Sequence, residues 1–196
     1  MNSLACSIIA LGATAVGLAC GLFLAGCGTP VRGQPFDPAA PTFPTIQGDS
    51  LNNRPFIFPE GLDAPYAVLM VAFLREQQED VNTWLDTARQ VAADHANVEY
   101  YELPVISSGF TLIRGFVDGG MRSGLPQFAV RERTVTVYTD VEKFRELAGI
   151  DSPRQIWTGL VDRQGRVYWS ARGPSTPEAL AQLKDAARQL AAPAAP

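Results

Sequence analysis

Residues 159–169 read GLVDRQGRVYW, and this stretch decides how the second half of the chain folds. Its residue types predict two strands, at 157–161 and 166–170. The polar residues between them have turn composition, with Gly165 at a position that favours positive φ. Thr176 then stands where a residue caps the start of a closing helix. The stretch therefore predicts an antiparallel hairpin followed by a C-terminal helix.

The residues upstream of this hairpin predict a β-α-β unit. Residues 66–73, YAVLMVAF, form a continuous apolar run, which is typical of a strand buried on both faces. Apolar side chains then recur at helical spacing over 77–94, and strand composition returns at 98–103. The other predicted elements are a short strand at 56–58, a glycine-weakened helix at 110–121, a strand at 134–138 and a short helix through Leu147.

The front of the chain has the features of an exported protein. Residues 1–27 carry no charged side chain and hold all three cysteines. The stretch 4–26 is apolar and about long enough to cross a bilayer. Its end, LAGC at 24–27, resembles the bacterial lipobox, which implies a signal peptide over 1–26 and a lipid attached to Cys27. An uncleaved membrane anchor is the alternative. Both place the protein in the cell envelope, outside the cytoplasmic membrane and held to a lipid surface.

Composition divides the rest of the chain into three parts. Residues 27–45 are rich in proline, which predicts a semi-rigid linker between membrane and domain. Residues 46–190 are numerous enough for one domain with its own core. Residues 191–196, AAPAAP, are predicted to be a frayed tail.

The folded part lacks the residues that most enzyme chemistries need. Beyond Cys27 the chain has no cysteine, and His95 is its one histidine. Thiol–disulfide chemistry needs a thiolate, and a zinc site needs three or four protein ligands. No phosphate-binding glycine motif or nucleophile elbow occurs. We therefore expect no enzyme activity, no metal and no cofactor. The formal net charge of −4 also argues against nucleic acid as a partner.

Charge is unevenly distributed along the folded part. Residues 45–109 have a net charge of −7 and residues 110–172 one of +3, and arginine outnumbers lysine 14 to 2. The guanidinium fork suits carboxylates, phosphates and protein interfaces. Six residues at or between predicted strand ends form a candidate contact for a partner or an anion: Arg75, Asp118, Arg122, Arg131, Arg133 and Asp140. Open α/β sheets bind ligands at that edge. A network that pins the intervening loop is the structural alternative.

The order of the elements resembles the thioredoxin-like fold, in the form seen in peroxiredoxin-type proteins. The hairpin at 157–170 and the helix after it are the most specific part of the resemblance. It implies an α/β fold over 46–190 in three layers, with a central mixed sheet flanked by helices. Thioredoxin-like enzymes carry a reactive cysteine after the first central strand, where this chain reads FLREQQ at 73–78, and a cis-proline near the position of Ile156. Both features are absent, so dithiol chemistry is not expected.

A second resemblance is to the mitochondrial ATPase complex subunit ten family, which are assembly factors for the membrane sector of the F-type ATP synthase. The matching residues are Leu160, Val161, Asp162, Arg166, Tyr168, Trp169 and Gly173. The resemblance implies a domain that binds a membrane or envelope protein as an assembly or chaperone-like factor. Two alternatives remain open: an enzyme or binding protein for an anionic small molecule at the Arg/Asp edge, and a passive envelope scaffold.

Overall fold

An eight-stranded mixed sheet forms the middle layer of the part of the chain that the structure describes, residues 34–35 and 37–191 of a computed structural model. The strands are β1 (Gln34–Pro35), β2 (Ile46–Ser50), β3 (Pro55–Phe58), β4 (Tyr66–Ala72), β5 (Val98–Ser107), β6 (Val135–Thr139), β7 (Trp157–Asp162) and β8 (Val167–Arg172). Their order across the sheet is β1-β8-β7-β4-β5-β6-β2-β3. The central strands β4, β5 and β6 are parallel, and all the other pairs are antiparallel.

Five helices accompany the sheet. They are α1 (Gln78–Asp94), α2 (Arg114–Gly124), α3 (Phe128–Arg133), α4 (Val141–Leu147) and α5 (Pro177–Ala191), and 3₁₀ turns at Arg75–Gln77 and Ser108–Ile113 precede α1 and α2. The β4-α1-β5 unit is the one that the sequence predicts. None of the helices in the described residues combines the length and apolar character that a membrane crossing needs.

The strand β4 separates two hydrophobic cores. Val68 and Met70 pack with α1 and α5 on one face, and Leu69 and Val71 pack with α4 and the β2–β3 hairpin on the other. All four side chains are fully buried, as the uninterrupted apolar run predicts. Burial of each is worth about 1.5–3 kcal/mol. The helices and the β2–β3 hairpin thus cover the two faces of the sheet and give the three layers that the sequence predicts.

The closing hairpin is locked by its turn and by two tryptophans. Gly165 has a φ of 78°, and a Cβ there would lie 2.5 Å from the backbone oxygen of Phe43. A side chain at this position would therefore be strained and obstructed. The rings of Trp84 and Trp169 meet edge to face with centroids 5.6 Å apart, and both are buried. Trp169 therefore packs against the helices and is not an exposed edge residue.

Three features of the fold differ from the sequence predictions. The predicted linker 27–45 is partly in the domain, because Gln34–Pro35 pairs with β8 and Phe43 is buried in the core. The strand β5 passes through Pro104, where the prediction stopped because proline lacks an N–H. Pro104 stands opposite Ala72, the last residue of β4. The helix α3 has no counterpart in the prediction. The predicted signal peptide with Cys27 and residues 192–196 lie outside the described residues.

Candidate functional site

The C-terminal ends of the three parallel strands lie at one end of the sheet. The strand β6 pairs with β5 as far as Thr139 and Ser107. The strand β4 pairs with β5 only as far as Pro104, three residues before Ser107. Arg75 follows β4 and Asp140 follows β6, so the structure places both where the sequence predicts. The side chain of Arg75 is exposed and makes no hydrogen bond or ion pair with another described residue. Asp140 caps α4, because its Oδ1 accepts from the backbone N of Lys143 at 3.1 Å.

A buried glutamine organises the backbone at the end of β4. The Oε1 atom of Gln77 accepts from the backbone N of Phe73 at 2.8 Å and from that of Leu74 at 3.2 Å. Its Nε2 donates to the backbone oxygen of Pro153 at 2.7 Å. The amide therefore fastens the loop after β4 to the loop before β7. Sequence reasoning missed this role, because a glutamine in a polar stretch gives no sign that it is buried.

Apolar side chains are exposed at the same end of the sheet. Leu74 follows β4 and is 43% exposed, Phe110 follows β5, and Leu147 ends α4 and is 54% exposed. We call Leu74, Arg75, Phe110 and Leu147 the strand-end surface. A group of exposed apolar side chains is characteristic of interaction sites on soluble domains.

The side of α2 that faces β6 and β2 is polar. Arg114 pairs with Asp49 of β2, and its Nε donates to Asp118 at 3.2 Å. The hydroxyl of Tyr138 on β6 donates to Asp118 Oδ1 at 2.9 Å. Burial raises the pKa of Tyr138, and the adjacent Asp118 carboxylate raises it further. Asp118 thus belongs to the network that holds α2 to the sheet.

The next two predicted arginines hold the turn between β2 and β3. Arg122 donates from Nε to the backbone oxygen of Leu51 at 2.7 Å. Arg131 donates from Nε to Asn52 Oδ1 at 2.9 Å and from Nη1 to the backbone oxygen of Pro126 at 3.1 Å. Backbone carbonyls and the side-chain amides of Asn52 and Asn53 are therefore their partners within the described residues.

Arg133 lines a cleft of about 270 Å³ beside the first half of β5. Its Nη1 donates to Glu99 Oε2 at 3.2 Å. The buried hydroxyl of Tyr101 donates to the same oxygen at 2.7 Å, and Arg54 pairs with Asp63 at 2.7 Å. Burial, with Glu99 next in effect, raises the pKa of Tyr101, and the hydrogen bond from Arg54 lowers the pKa of Asp63. Two arginines and three carboxylates line this cleft, and both arginines are held in ion pairs.

The structure does not bring the six charged residues together at one edge of the sheet. Arg75 and Asp140 lie at the C-terminal ends of the strands, whereas Arg133 lies beside the first half of β5. The cause is α3, which runs beside the first half of β5 before β6 begins. The strand β6 first meets β5 at the bridge between Glu102 and Thr134. A contact of any of these residues with a partner or an anion stays a prediction.

The residues that carry the second family resemblance lie in the closing hairpin. Leu160, Val161 and Trp169 are buried core residues. Gly173 has a φ of 73°, and its carbonyl accepts from Trp84 Nε1 at 3.0 Å. Core packing and backbone conformation therefore explain why these four residues stand at these positions of the sequence.

Asp162, which belongs to the same motif, is the centre of the hairpin turn. Its Oδ1 accepts from the backbone N of Gln164 and of Arg166, each at 2.9 Å. Its Oδ2 accepts from Arg166 Nε at 2.6 Å and from the hydroxyl of Tyr168 at 3.0 Å. The carboxylate is buried and its hydrogen bonds are charge-assisted, which gives it a structural role.

One further acidic residue is buried without an ion pair. Glu102 of β5 accepts only a long hydrogen bond of 3.4 Å, from Gln78 Nε2. Burial raises the pKa of Glu102 above its usual range. In the described part of the chain, no group of three or more His, Cys, Asp and Glu side chains is placed to hold a metal ion.

Comparison with known proteins identifies the fold. No family model and no curated protein matches the sequence. Solved structures do match with probability 1.00. A secreted thiol-disulfide isomerase from Corynebacterium glutamicum has a TM-score of 0.54 and 14% identity, over 86% of this chain and 96% of that one. The chain has a thioredoxin-like fold. The predicted fold class is confirmed.

Two other thioredoxin-like neighbours are similar at the same level. BsSco, a member of the Sco family of cytochrome c oxidase assembly proteins, has a TM-score of 0.53 and 11% identity, over 78% of this chain and 97% of that one. A thiol:disulfide interchange protein from Chlorobium tepidum has a TM-score of 0.50 and 10% identity, over 81% and 98%. Identities this low show the fold alone. The subunit ten family and the lipoprotein signal are not shown by the comparisons.

The neighbours correct one prediction. The expectation that this chain is not an enzyme is contradicted, because the thioredoxin-like structures that it matches include thiol–disulfide enzymes. The sequence argument inferred from missing catalytic motifs that the protein is not an enzyme, but proteins with this fold include enzymes. We therefore withdraw the expectation.

Proposed function

We propose that this thioredoxin-like domain is held to a membrane by its N-terminal segment and binds an envelope protein through the strand-end surface. The role that fits such a domain is assembly or a chaperone-like function. The observation that carries the proposal is that Leu74, Phe110 and Leu147 are exposed at the same end of the sheet as Arg75, whose side chain has no hydrogen bond or ion pair with another described residue.

The chemistry of the strand-end surface suits a protein partner. Apolar side chains at the centre of an interface supply most of the binding free energy, and arginine is enriched among interface residues. Arg75 has no competing partner among the described residues, so it is available to a carboxylate or a backbone carbonyl of a bound protein.

The surface is also held in place before binding. Gln77 joins the loop that carries Leu74 to the loop that contains Pro153, through bonds of 2.7–3.2 Å. A surface whose backbone is already ordered loses less conformational entropy when a partner binds. The amide therefore supports recognition at the position where thioredoxin-like enzymes carry a cysteine.

Two further observations support the proposed location and role. The apolar, uncharged segment 4–26 ends in LAGC, which resembles a lipobox and would attach Cys27 to a lipid. One neighbour in fold is described as a member of a family of cytochrome c oxidase assembly proteins. We transfer only the general idea of assembly to this chain, as part of the proposal.

The positions of the charged residues give the anionic-ligand hypothesis less support than the proposal. That hypothesis needs the predicted arginines and aspartates at one edge, and Arg122, Arg131 and Arg133 instead bind carbonyl, amide and carboxylate oxygens elsewhere. The passive-scaffold hypothesis predicts no defined partner, so the following experiment decides between it and the proposal.

The test is site-specific photo-crosslinking in living cells with the full-length protein. One form carries a photoreactive amino acid at position 74. The matched control carries it at position 57, because Ile57 is 48% exposed and lies on the edge strand β3. We expect a small set of envelope proteins to crosslink from position 74 and not from position 57. Each captured protein is then purified, and its affinity is compared between the wild type and Arg75→Ala.

The outcomes separate the hypotheses. A captured protein whose affinity falls with Arg75→Ala, at an unchanged melting temperature, supports the proposal. The same abundant envelope proteins at both positions, with no response to Arg75→Ala, would overturn it and favour the passive scaffold.

A further inference from the structure

The helix α2 is amphipathic, but its charged side faces the sheet and its apolar side faces outward. Arg114, Asp118 and Arg122 follow at intervals of four residues and face the sheet, where they contact Asp49, Tyr138 and the Leu51 carbonyl. A surface helix normally turns its apolar side inward. Here charged hydrogen bonds hold the helix, and no residue of α2 is buried.

The opposite side of this segment is apolar and exposed. Leu112 is 99% exposed and Phe116 is 85% exposed, four residues apart, and Ile113 lies between them with half of its surface exposed. We call Leu112, Ile113 and Phe116 the outer face. A Cβ added at Gly115 or Gly119 would have no described atom within 4 Å, so this side of α2 is open.

The charge of the segment matches an anionic lipid surface. Residues 108–133 contain four arginines and two acidic residues, which is a net charge of +2 in a chain of net charge −4. Helices that lie in the interface of a bilayer combine Leu and Phe on one side with basic residues around them. Anionic headgroups attract such positive segments within a Debye length of the surface.

The position of the N-terminal segment is compatible with this contact. Only six residues lie between Cys27 and Gln34, and these seven Cα–Cα steps span at most about 24 Å. Along the sheet, β1 and β6 are five strand spacings apart, or about 24 Å. The length of the tether is therefore compatible with a membrane that lies against the outer face.

We propose that the outer face, which belongs to the 3₁₀ turn 108–113 and the first turn of α2, inserts into the interfacial layer of the lipid bilayer that holds the N-terminal segment. Leu112, Ile113 and Phe116 enter the boundary between headgroups and acyl chains. Arg122 and Arg131 have no carboxylate partner among the described residues, so their positive charge attracts anionic headgroups nearby. The insertion orients the domain on the membrane. The inference shares the membrane tether with the proposed function, but it uses a different surface and a different ligand.

The test measures the depth of position 116 in a bilayer. Full-length Phe116→Trp is reconstituted into vesicles of phosphatidylethanolamine and phosphatidylglycerol whose acyl chains carry bromine, a contact quencher of tryptophan fluorescence. The native Trp84, Trp157 and Trp169 are buried, so the wild type provides the background signal. Ile57→Trp is the matched control, because it has the same tether and an exposed side chain on β3.

We expect the tryptophan at position 116 to lose about half of its emission or more, and the one at position 57 to be little affected. Adding Leu112→Asp to Phe116→Trp should restore the emission, because a charge opposes insertion of the outer face. Replacing the phosphatidylglycerol by phosphatidylcholine should weaken the quenching.

Equal quenching at positions 116 and 57 would overturn the inference. Absence of quenching together with a crosslink between residues 116 of two molecules would show that a second copy covers the outer face instead. The vesicles contain no partner protein, and the test of the proposed function uses position 74. Failure of one proposal is therefore distinguishable from failure of the other.

Discussion

The closing hairpin buries its apolar residues, whereas the segment between β5 and β6 exposes its apolar residues and turns charged ones toward the sheet. In the hairpin, Leu160, Val161 and Trp169 are buried, and the polar Asp162 is buried with four hydrogen bonds. In residues 108–133, the charged side chains of α2 face the sheet, and apolar side chains such as Phe116 face outward.

The difference separates residues that fold the chain from residues that are free for binding. Every distinctive residue of the hairpin is accounted for by packing or by a turn, so the family resemblance that rests on it says little about function. The exposed apolar residues of 108–133 and of the strand-end surface belong to neither of the two hydrophobic cores in the described part of the chain. Departures from ordinary patterning of this kind are expected at functional sites.

The largest effect is expected where the hairpin meets the helices. Trp169→Ala should lower the free energy of unfolding by about 3–5 kcal/mol, because it removes a buried ring that packs on Trp84. Urea unfolding followed by circular dichroism measures the change. Trp169→Phe is the control and should lose much less. A loss from Trp169→Ala below about 1 kcal/mol would mean that the hairpin is not part of the core.

A smaller loss is expected from the turn of the same hairpin. Asp162→Asn should destabilise the fold by about 2 kcal/mol, because the amide cannot accept four hydrogen bonds and the ion pair with Arg166 is lost. The exposed Asp86, which pairs only with Arg89, provides the matched control, and Asp86→Asn should change the stability little. Equal effects in a thermal melt would contradict the role assigned to Asp162.

Glu102 lies on β5, which stands between the closing hairpin and β6 in the sheet, and its replacement should stabilise the fold. Burial raises its pKa, so the folded state favours the protonated form, and stability falls as the pH rises through that raised pKa. Glu102→Gln should therefore add about 1 kcal/mol at pH 7. The gain should vanish below the ordinary pKa of a glutamate, where the wild-type side chain is protonated in both states. Unfolding curves from pH 3 to 7 are the measurement, and a gain that does not depend on pH would contradict this origin.

The smallest effect on stability is expected from the outer face. Phe116→Ser and Leu112→Ser should each change the free energy of unfolding by no more than about 0.5 kcal/mol, because both side chains are already exposed. Urea unfolding alongside the hairpin variants makes the comparison direct. A loss comparable to that of Trp169→Ala would show that these residues pack within the domain.

Local patterns predict much of the hairpin and of the β-α-β unit. The run at 66–73 predicts a strand that is indeed buried on both faces, and Gly165 has the predicted positive φ. Thr176 accepts from the backbone N of Ala179, as expected of a cap. Each of these features depends on neighbours in sequence, which is why periodicity and turn composition suffice.

The candidate site depends on contacts between distant residues, which those patterns do not contain. Arg114 is 65 residues from its partner Asp49, and Gln77 is 76 residues from Pro153. Sequence reasoning grouped Arg133 with Arg75 and Asp140, which follow the C-terminal strand ends, because nothing local shows that α3 runs beside β5. The stripe of Arg114, Asp118 and Arg122 has helical spacing, but only the structure shows that it faces inward.

The central claim is that exposed apolar residues at the strand ends bind a partner and do not serve folding. The most direct measurement compares photo-crosslinking from positions 74 and 57 in the same cells, with the melting temperature of Leu74→Ser recorded in parallel. We predict a defined envelope protein at position 74 only, and an unchanged melting temperature. A large fall in the melting temperature, or identical crosslinked proteins from both positions, would contradict the claim.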